Sequence, residues 1–247
     1  PRTVMKERVA QLGLLVLALL VGPASASLQD GGPTLYVNNS DPACQGQSPC
    51  YTAIQDAVDA ARPGDTIRIQ PGVYREQVLI RGKNKFAGPA ETHRIVIEAD
   101  PAAPPGSVVI AGVGSKKKEE RDEEGDDDGR DGQGRCARGH AVRLEKSKFI
   151  TLRGLTITGA GGPAIALRGG KNEATHVELN RIFGNGGSKC NGGIIIARGN
   201  RGTLIVNNLI YANGRNGIAF IGAGDDDEDD ADDDDDDGHA AGGLHHM

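Results

Sequence analysis

Tyr51–Ile80 reads YTAIQDAVDAARPGDTIRIQPGVYREQVLI. Ile54, Ala57, Val58 and Ala61 recur at helical spacing and lay one apolar stripe along an amphipathic helix. Arg62-Pro63-Gly64-Asp65 ends that helix. Proline disfavours helical geometry at the residue before it, and glycine accepts the turn. The pattern then changes to strict alternation in Thr66-Ile67-Arg68-Ile69-Gln70. Pro71-Gly72 turns the chain, and a second strand runs through Gln77-Val78-Leu79-Ile80. A short helix feeding strands separated by glycine turns predicts a stacked coil with a helical lid.

Repeats support the same reading further along. Arg94–Glu98 and Ser107–Ile110 continue the strand series. Ile150-Thr151-Leu152-Arg153-Gly154-Leu155 aligns with Val177-Glu178-Leu179-Asn180-Arg181-Ile182. Both align with Leu204–Ile210 if one bulged residue is allowed. The alignment places Leu155, Ile182 and Ile210 in one internal ladder. Each unit closes on a small-residue-led strand, at Ala164–Leu167, Gly193–Ile196 and Gly217–Phe220. Asn180, Asn185, Asn207, Asn208 and Asn213 fall where corners are expected, and their amides are read as ladders between rungs.

The PGD-T-I-x-I-x-x-G-x-Y run after a helix, carried by Thr52–Glu76, resembles the start of right-handed parallel β-helix proteins of the pectate-lyase-like superfamily. The resemblance implies an all-β fold, a right-handed parallel β-helix (solenoid) with an N-terminal capping helix. It lies in the cap, which carries no catalysis, so no catalytic residue transfers by position.

Composition divides the chain of 247 residues. Residues 1–26 read as a signal peptide: Lys6 and Arg8 precede the apolar Val9–Val21, and Ala24-Ser25-Ala26 fits a cleavage site. The expected destination is secreted or periplasmic, with no membrane span after cleavage. Residues 34–224 form the expected β-helix domain. Residues 116–135 contain no apolar side chain and read as a disordered insertion in a turn. Residues 225–247 read as an acidic disordered tail. Cys44 and Cys50 beside the cap are the expected disulfide, while the pairing of Cys136 and Cys190 stays open. No CxxC spacing or histidine cluster supports a metal site.

The net charge of −6 conceals opposite halves. Residues 225–237 hold 12 acids among 13 residues, and setting them aside leaves 28 bases against 22 acids. From Cys136 to Gly224 there are 12 Lys and Arg against Glu145, Glu173 and Glu178, with no Asp. Glycoside hydrolysis needs paired carboxylates, and these three do not repeat in register. Calcium-assisted β-elimination needs a basic residue and oxygen ligands for Ca²⁺. Bases are plentiful, whereas the coil residues offer no carboxylate cage, so Ca²⁺ is without support from them. An enzyme on this chain would be a polysaccharide lyase rather than a glycoside hydrolase, with its active rungs largely outside the sequence. The residues favour engagement of an anionic, polyuronate-like polysaccharide, with Arg153, Arg168, Lys171, Arg181, Arg198 and Arg201 as the candidate polyanion-binding set. Nucleic acid does not suit an exported chain. The alternative to a glycan binder or lyase is a non-enzymatic structural surface module.

Overall fold

The computed structural model describes residues 32–86, 91–113, 139–187 and 190–222. The expected signal peptide, the 116–135 insertion and the acidic tract lie outside them. The first coil holds β1 (Thr34–Val37), the short β2 (Cys50–Tyr51) and α1 (Ile54–Ala60). The second coil holds β3 (Thr66–Ile69), β4 (Gly72–Tyr74) and β5 (Val78–Arg81), and the third β6 (Ile95–Ala99), β7 (Val108–Ala111) and β8 (Val142–Glu145). The fourth follows with β9 (Ile150–Arg153), β10 (Thr156–Thr158) and β11 (Ile165–Arg168). Last come β12 (His176–Glu178), β13 (Arg181–Phe183) and β14 (Ile194–Ala197), then β15 (Leu204–Val206), β16 (Leu209–Tyr211) and β17 (Ile218–Ile221).

From the second coil onward, each coil gives one strand to each of three sheets. The first sheet runs β15-β12-β9-β6-β3-β1-β2, the second β16-β13-β10-β7-β4, the third β17-β14-β11-β8-β5. Every pairing is parallel, as a right-handed coil requires. The chain is a right-handed parallel β-helix.

Where a strand was absent from the sequence reading, the Pro71-Gly72 turn holds one: β4 occupies Gly72–Tyr74 and pairs with β7. A Cβ on Gly72 would meet the Asn39 side-chain oxygen at 2.6 Å and the Tyr74 ring at 3.3 Å, which explains the glycine two residues before the tyrosine. Tyr74 is buried, and its hydroxyl donates to the carbonyls of Gln70 (2.9 Å) and Val37 (3.2 Å). Desolvation pushes its pKa up to about 12.

Register corrects the repeat alignment. The ladder is Ile157, Ile182 and Ile210, while Leu152 stacks on Val177 and Ile205. Leu155 is buried at the corner, its amide donating to the Asn180 side chain at 3.0 Å. No bulge is needed. A shift of two residues keeps every side chain on its own face, so the apolar pattern alone could not reject the wrong frame. The closing strands do stack as aligned, with Ile165, Ile194 and Ile218 in one column. A Cβ on Gly193 would lie 1.7 Å from the Gly217 carbonyl oxygen, so the leading position admits only glycine there.

The cap is clamped from the second coil. No side chain within α1 caps its N-terminus. The Glu76 carboxylate instead accepts from the amides of Ile54 and Gln55, both at 3.0 Å. Gln55 presents its amide to the edge of β5, accepting from the Leu79 N–H (2.7 Å) and donating to the Leu79 carbonyl (3.1 Å). Lys83 donates to the carbonyls of Asp59 (2.9 Å) and Ala61 (3.1 Å) at the other helix end. Cys44 and Cys50 are disulfide-bonded beside the lid. Cys190 is also disulfide-bonded, and Cys136 lies outside the described residues.

At these corners a left-handed residue precedes an inward-turned side chain, which in the later rungs is an asparagine. Gly154, Leu179 and Asn207 have φ of 69°, 58° and 54°, and Leu155, Asn180 and Asn208 follow them. The Asn180 amide reaches both neighbouring rungs, donating to Leu152 O (2.9 Å) and Asn208 Oδ1 (3.0 Å). Asn185 and Asn213 repeat this at the next corner, with Asn185 Nδ2 2.9 Å from Asn213 Oδ1. A third ladder, Ser147, Asn172 and Asn200, escaped the sequence reading. Asn207 does not belong to a ladder: it fills the exposed left-handed position beside Asn208.

Two adjacent positions should therefore respond in opposite ways. Asn180→Ala strands the Leu152 carbonyl and the Leu155 amide in the interior and should cost about 1–3 kcal/mol in urea denaturation. Leu179→Gly relieves a left-handed, 56 % exposed leucine and should stabilise by about 0.5–1 kcal/mol. Equal losses at both sites would refute the corner account.

Candidate functional site: a basic corner

The corner between the third sheet and the first is built from residues 82–86, 146–149, 169–175 and 198–203 on four successive coils. Its backbone is laddered rung to rung. Lys148 N–H donates to Lys83 O (3.0 Å), Phe149 N–H to Glu173 O (2.9 Å), Lys171 N–H to Gly199 O (3.1 Å) and Ala174 N–H to Arg201 O (3.0 Å). Beneath the turn, Ser147 is fully buried and donates to Ile80 O, while Asn172 donates to Asn200. The polar backbone is satisfied internally, so the remaining corner positions are released to solvent.

Those positions are cationic. Lys85, Lys146, Lys171, Arg198 and Arg201 are exposed, and Lys148 is half-buried. Lys146 and Lys171 hold the left-handed position of successive rungs, with φ of 49° and 57°. Lys148, Glu173 and Arg201 share one column of paired residues, and Lys148 Nζ is 3.4 Å from Glu173 Oε2. Glu173 is the single acidic residue in these four segments. At roughly 4.8 Å per rung the row of charge is about 15 Å long.

Of the six residues expected to bind a polyanion, Lys171, Arg198 and Arg201 meet at this corner. The other three lie elsewhere. Arg153 stands on the outer face of the first sheet in a column where charge alternates rung by rung, Arg68–Glu98–Arg153–Glu178. The successive contacts there are 3.1, 3.4 and 2.7 Å. Arg168 is 9 % exposed on the third sheet, in backbone register with Glu145, whose buried carboxylate takes Arg81 at 2.5 Å and Arg143. Arg181 opens β13 on the second sheet, where its guanidinium lies beside Gly106 and Thr156. Lys146 and Lys148 join the corner although a repeat unit starting at Ile150 excludes them. The signal appears once the unit starts at the turn: Ser147-Lys148, Asn172-Glu173 and Asn200-Arg201 then superpose.

A second polar cluster sits at the foot of the first sheet. Arg94 donates to Ala174 O (2.8 Å) and to both carboxylate oxygens of Glu91 (2.7 and 2.9 Å), tying a loop across several coils. Its Nη2 is 3.4 Å from His176 Nε2. A guanidinium only donates, so this contact requires a bare Nε2 and hence a neutral imidazole. Burial and then the Arg94 charge hold His176 below its ordinary pKa, with Arg153 adding to the effect and Glu91 and Glu178 opposing it. All this reads as a structural strap. Among the described residues no group of three or more His, Cys, Asp or Glu is placed to hold a metal ion, and no helix is long and apolar enough to cross a membrane.

No protein-family model matches the chain, and no curated protein does. Among solved structures it is similar to an alginate lyase from Paenibacillus sp. str. FPU-7, at 17 % identity over 72 % of this chain and 45 % of that one, with a TM-score of 0.47. It is also similar to pectate lyase Pel9A (15 % identity, 77 % and 50 % coverage, TM-score 0.49) and to the pectin methylesterase from Aspergillus niger (16 %, 76 % and 55 %, 0.40). The chain spans about half the length of these proteins.

The strap predicts a pH dependence. A histidine whose folded pKa is depressed binds fewer protons in the native state, so stability is full above about 6.5 and falls as pH drops below it. Thermal midpoints measured from pH 8 to 5 should decline through that window in the wild type. His176→Gln should flatten part of the decline; an unchanged profile would remove His176 from the strap.

Proposed function

We propose that this chain is an extracellular or periplasmic binding module for a linear anionic polysaccharide, seated along the basic corner. One observation carries the reading: four successive corners hold seven cations against Glu173 alone, and six of them, Lys85, Lys146, Lys148, Lys171, Arg198 and Arg201, line the outer corner while Lys83 bonds the end of α1. A row of charges repeating at the strand spacing suits a polymer with one carboxylate per sugar, because consecutive rungs meet consecutive units. The Cys44–Cys50 disulfide supports an oxidising compartment, as does the leader-like sequence of residues 1–26.

The energetics favour a polymer over a single sugar. Each exposed pair contributes only about 0.2–1 kcal/mol. Several such contacts in register give measurable affinity at low salt, and screening weakens it as ionic strength rises. Lys171 and Arg201 are also held by backbone bonds to neighbouring rungs, so little backbone order is lost on binding.

The test is polygalacturonate binding by the wild type and by a Lys171→Ala/Arg198→Ala/Arg201→Ala variant across a salt series. Affinity should fall about tenfold or more at low salt, with a shallower salt dependence. The charge-neutralised variant should keep its denaturation midpoint, since the three side chains are exposed. Unchanged affinity would move the binding face elsewhere.

A further inference from the structure

The chain leaves its last strand at this same corner. β17 pairs with β14 so that Ile221 lies over Ala197, the residue before Arg198. Only Gly222-Ala223-Gly224 separate β17 from Asp225–Asp237, whose 12 acids among 13 residues are the densest charge in the sequence. The last described strand thus ends at the fifth rung of a row whose four preceding rungs are cationic, three residues ahead of the tract in sequence.

We infer that the basic corner is an interaction surface for the chain's own acidic tract, which lies along it in place of an anionic glycan. Reach permits this. Thirteen residues span up to about 45 Å when extended, three times the roughly 15 Å of the corner. Charge permits it as well, since 12 carboxylates exceed six cations and one acid. Only Gly222-Ala223-Gly224 intervene, at most about 11 Å of extended chain, comparable to the Debye length of about 10 Å at 0.1 M salt. The other cationic columns are closely matched in charge, with Arg68 and Arg153 facing Glu98 and Glu178 and Arg81 facing Glu145, while the four corner segments carry Glu173 as their single acid, 3.4 Å from Lys148. This inference rests on the corner being the polyanion surface, and it adds what holds that surface when no glycan is present.

Two measurements test it on the full chain. Zero-length carbodiimide coupling at low salt, followed by peptide mapping, should join carboxylates of 225–237 to Lys146, Lys148 or Lys171 within one molecule. Coupling should be lost at about 0.5 M salt and in a Lys171→Glu/Arg198→Glu variant, but kept in the off-corner control Arg75→Glu. Absence of these links, equal loss in the control, or links formed between differently isotope-labelled copies would each overturn the intramolecular contact. Separately, changing the 12 acids to Asn or Gln should tighten polygalacturonate binding several-fold at low salt, with no gain once the corner is neutralised. Equal affinity in both forms would overturn the competition. If neither form binds polygalacturonate, the glycan reading fails while the coupling result still decides the contact.

Discussion

The structure depends on how its corners satisfy backbone groups along the solenoid axis. Strands in a parallel coil bond to the rungs above and below, but a tight turn points some amides and carbonyls where no strand partner waits. Here a side-chain amide replaces the missing backbone. Asn180 accepts from the Leu155 amide on one rung and donates to the Leu152 carbonyl, while Asn208 repeats the arrangement one rung on. For that side chain to turn inward, the residue before it takes a left-handed conformation, and it does so at Leu179, Asn207, Gly184, Ala212, Lys146, Lys171 and Gly199. Coil length follows from this: insertions must leave each Asn over its partner. The additional residues between Phe183 and Ile194 are accommodated with Asn185 and Asn213 still bonded.

The lid solves the related problem of a sheet edge. Exposed strand edges invite pairing with another chain. β5 would be such an edge, yet the Gln55 amide bonds both backbone groups of Leu79, imitating a neighbouring strand at that residue. Glu76 and Lys83 flank β5 and hold the two ends of α1, so helix and strand are set by the same short segment. Burial in this region and the neighbouring Asp59 and Asp65 act on Lys83 in opposite senses, and desolvation prevails, lowering its pKa.

Much of the fold was legible because the core columns are written in Ile, Leu and Val at matched spacing and because the cap has a distinctive helix-turn-strand pattern. What sequence could not settle was phase. The shift that placed Leu155 in the ladder, where Ile157 belongs, preserves the inside-outside alternation, and only the turns distinguish the frames. The same limitation hid Asn172 and Asn200, which precede the strands from which the repeat was counted. For the candidate site, counting cations identified the right composition without the geometry. Arg153 counts toward the same charge as Lys171, but its partners arrive from other rungs, and Glu98 is 55 residues distant from it.

The difference between sheet and corner explains why net charge in this coil becomes a surface with direction. On a sheet face, a cation in one rung is directly opposite the residue of the next, and like charges stacked at that spacing repel. The first sheet avoids this with Arg68, Glu98, Arg153 and Glu178 in alternation, leaving little field outside. At the corner the left-handed positions project outward, where water screens neighbouring charges and relaxes the demand for alternation. Lys146 and Lys171 can then hold the left-handed position of successive rungs. A cation excess spread through the sequence is consequently cancelled on the sheet and retained along one edge.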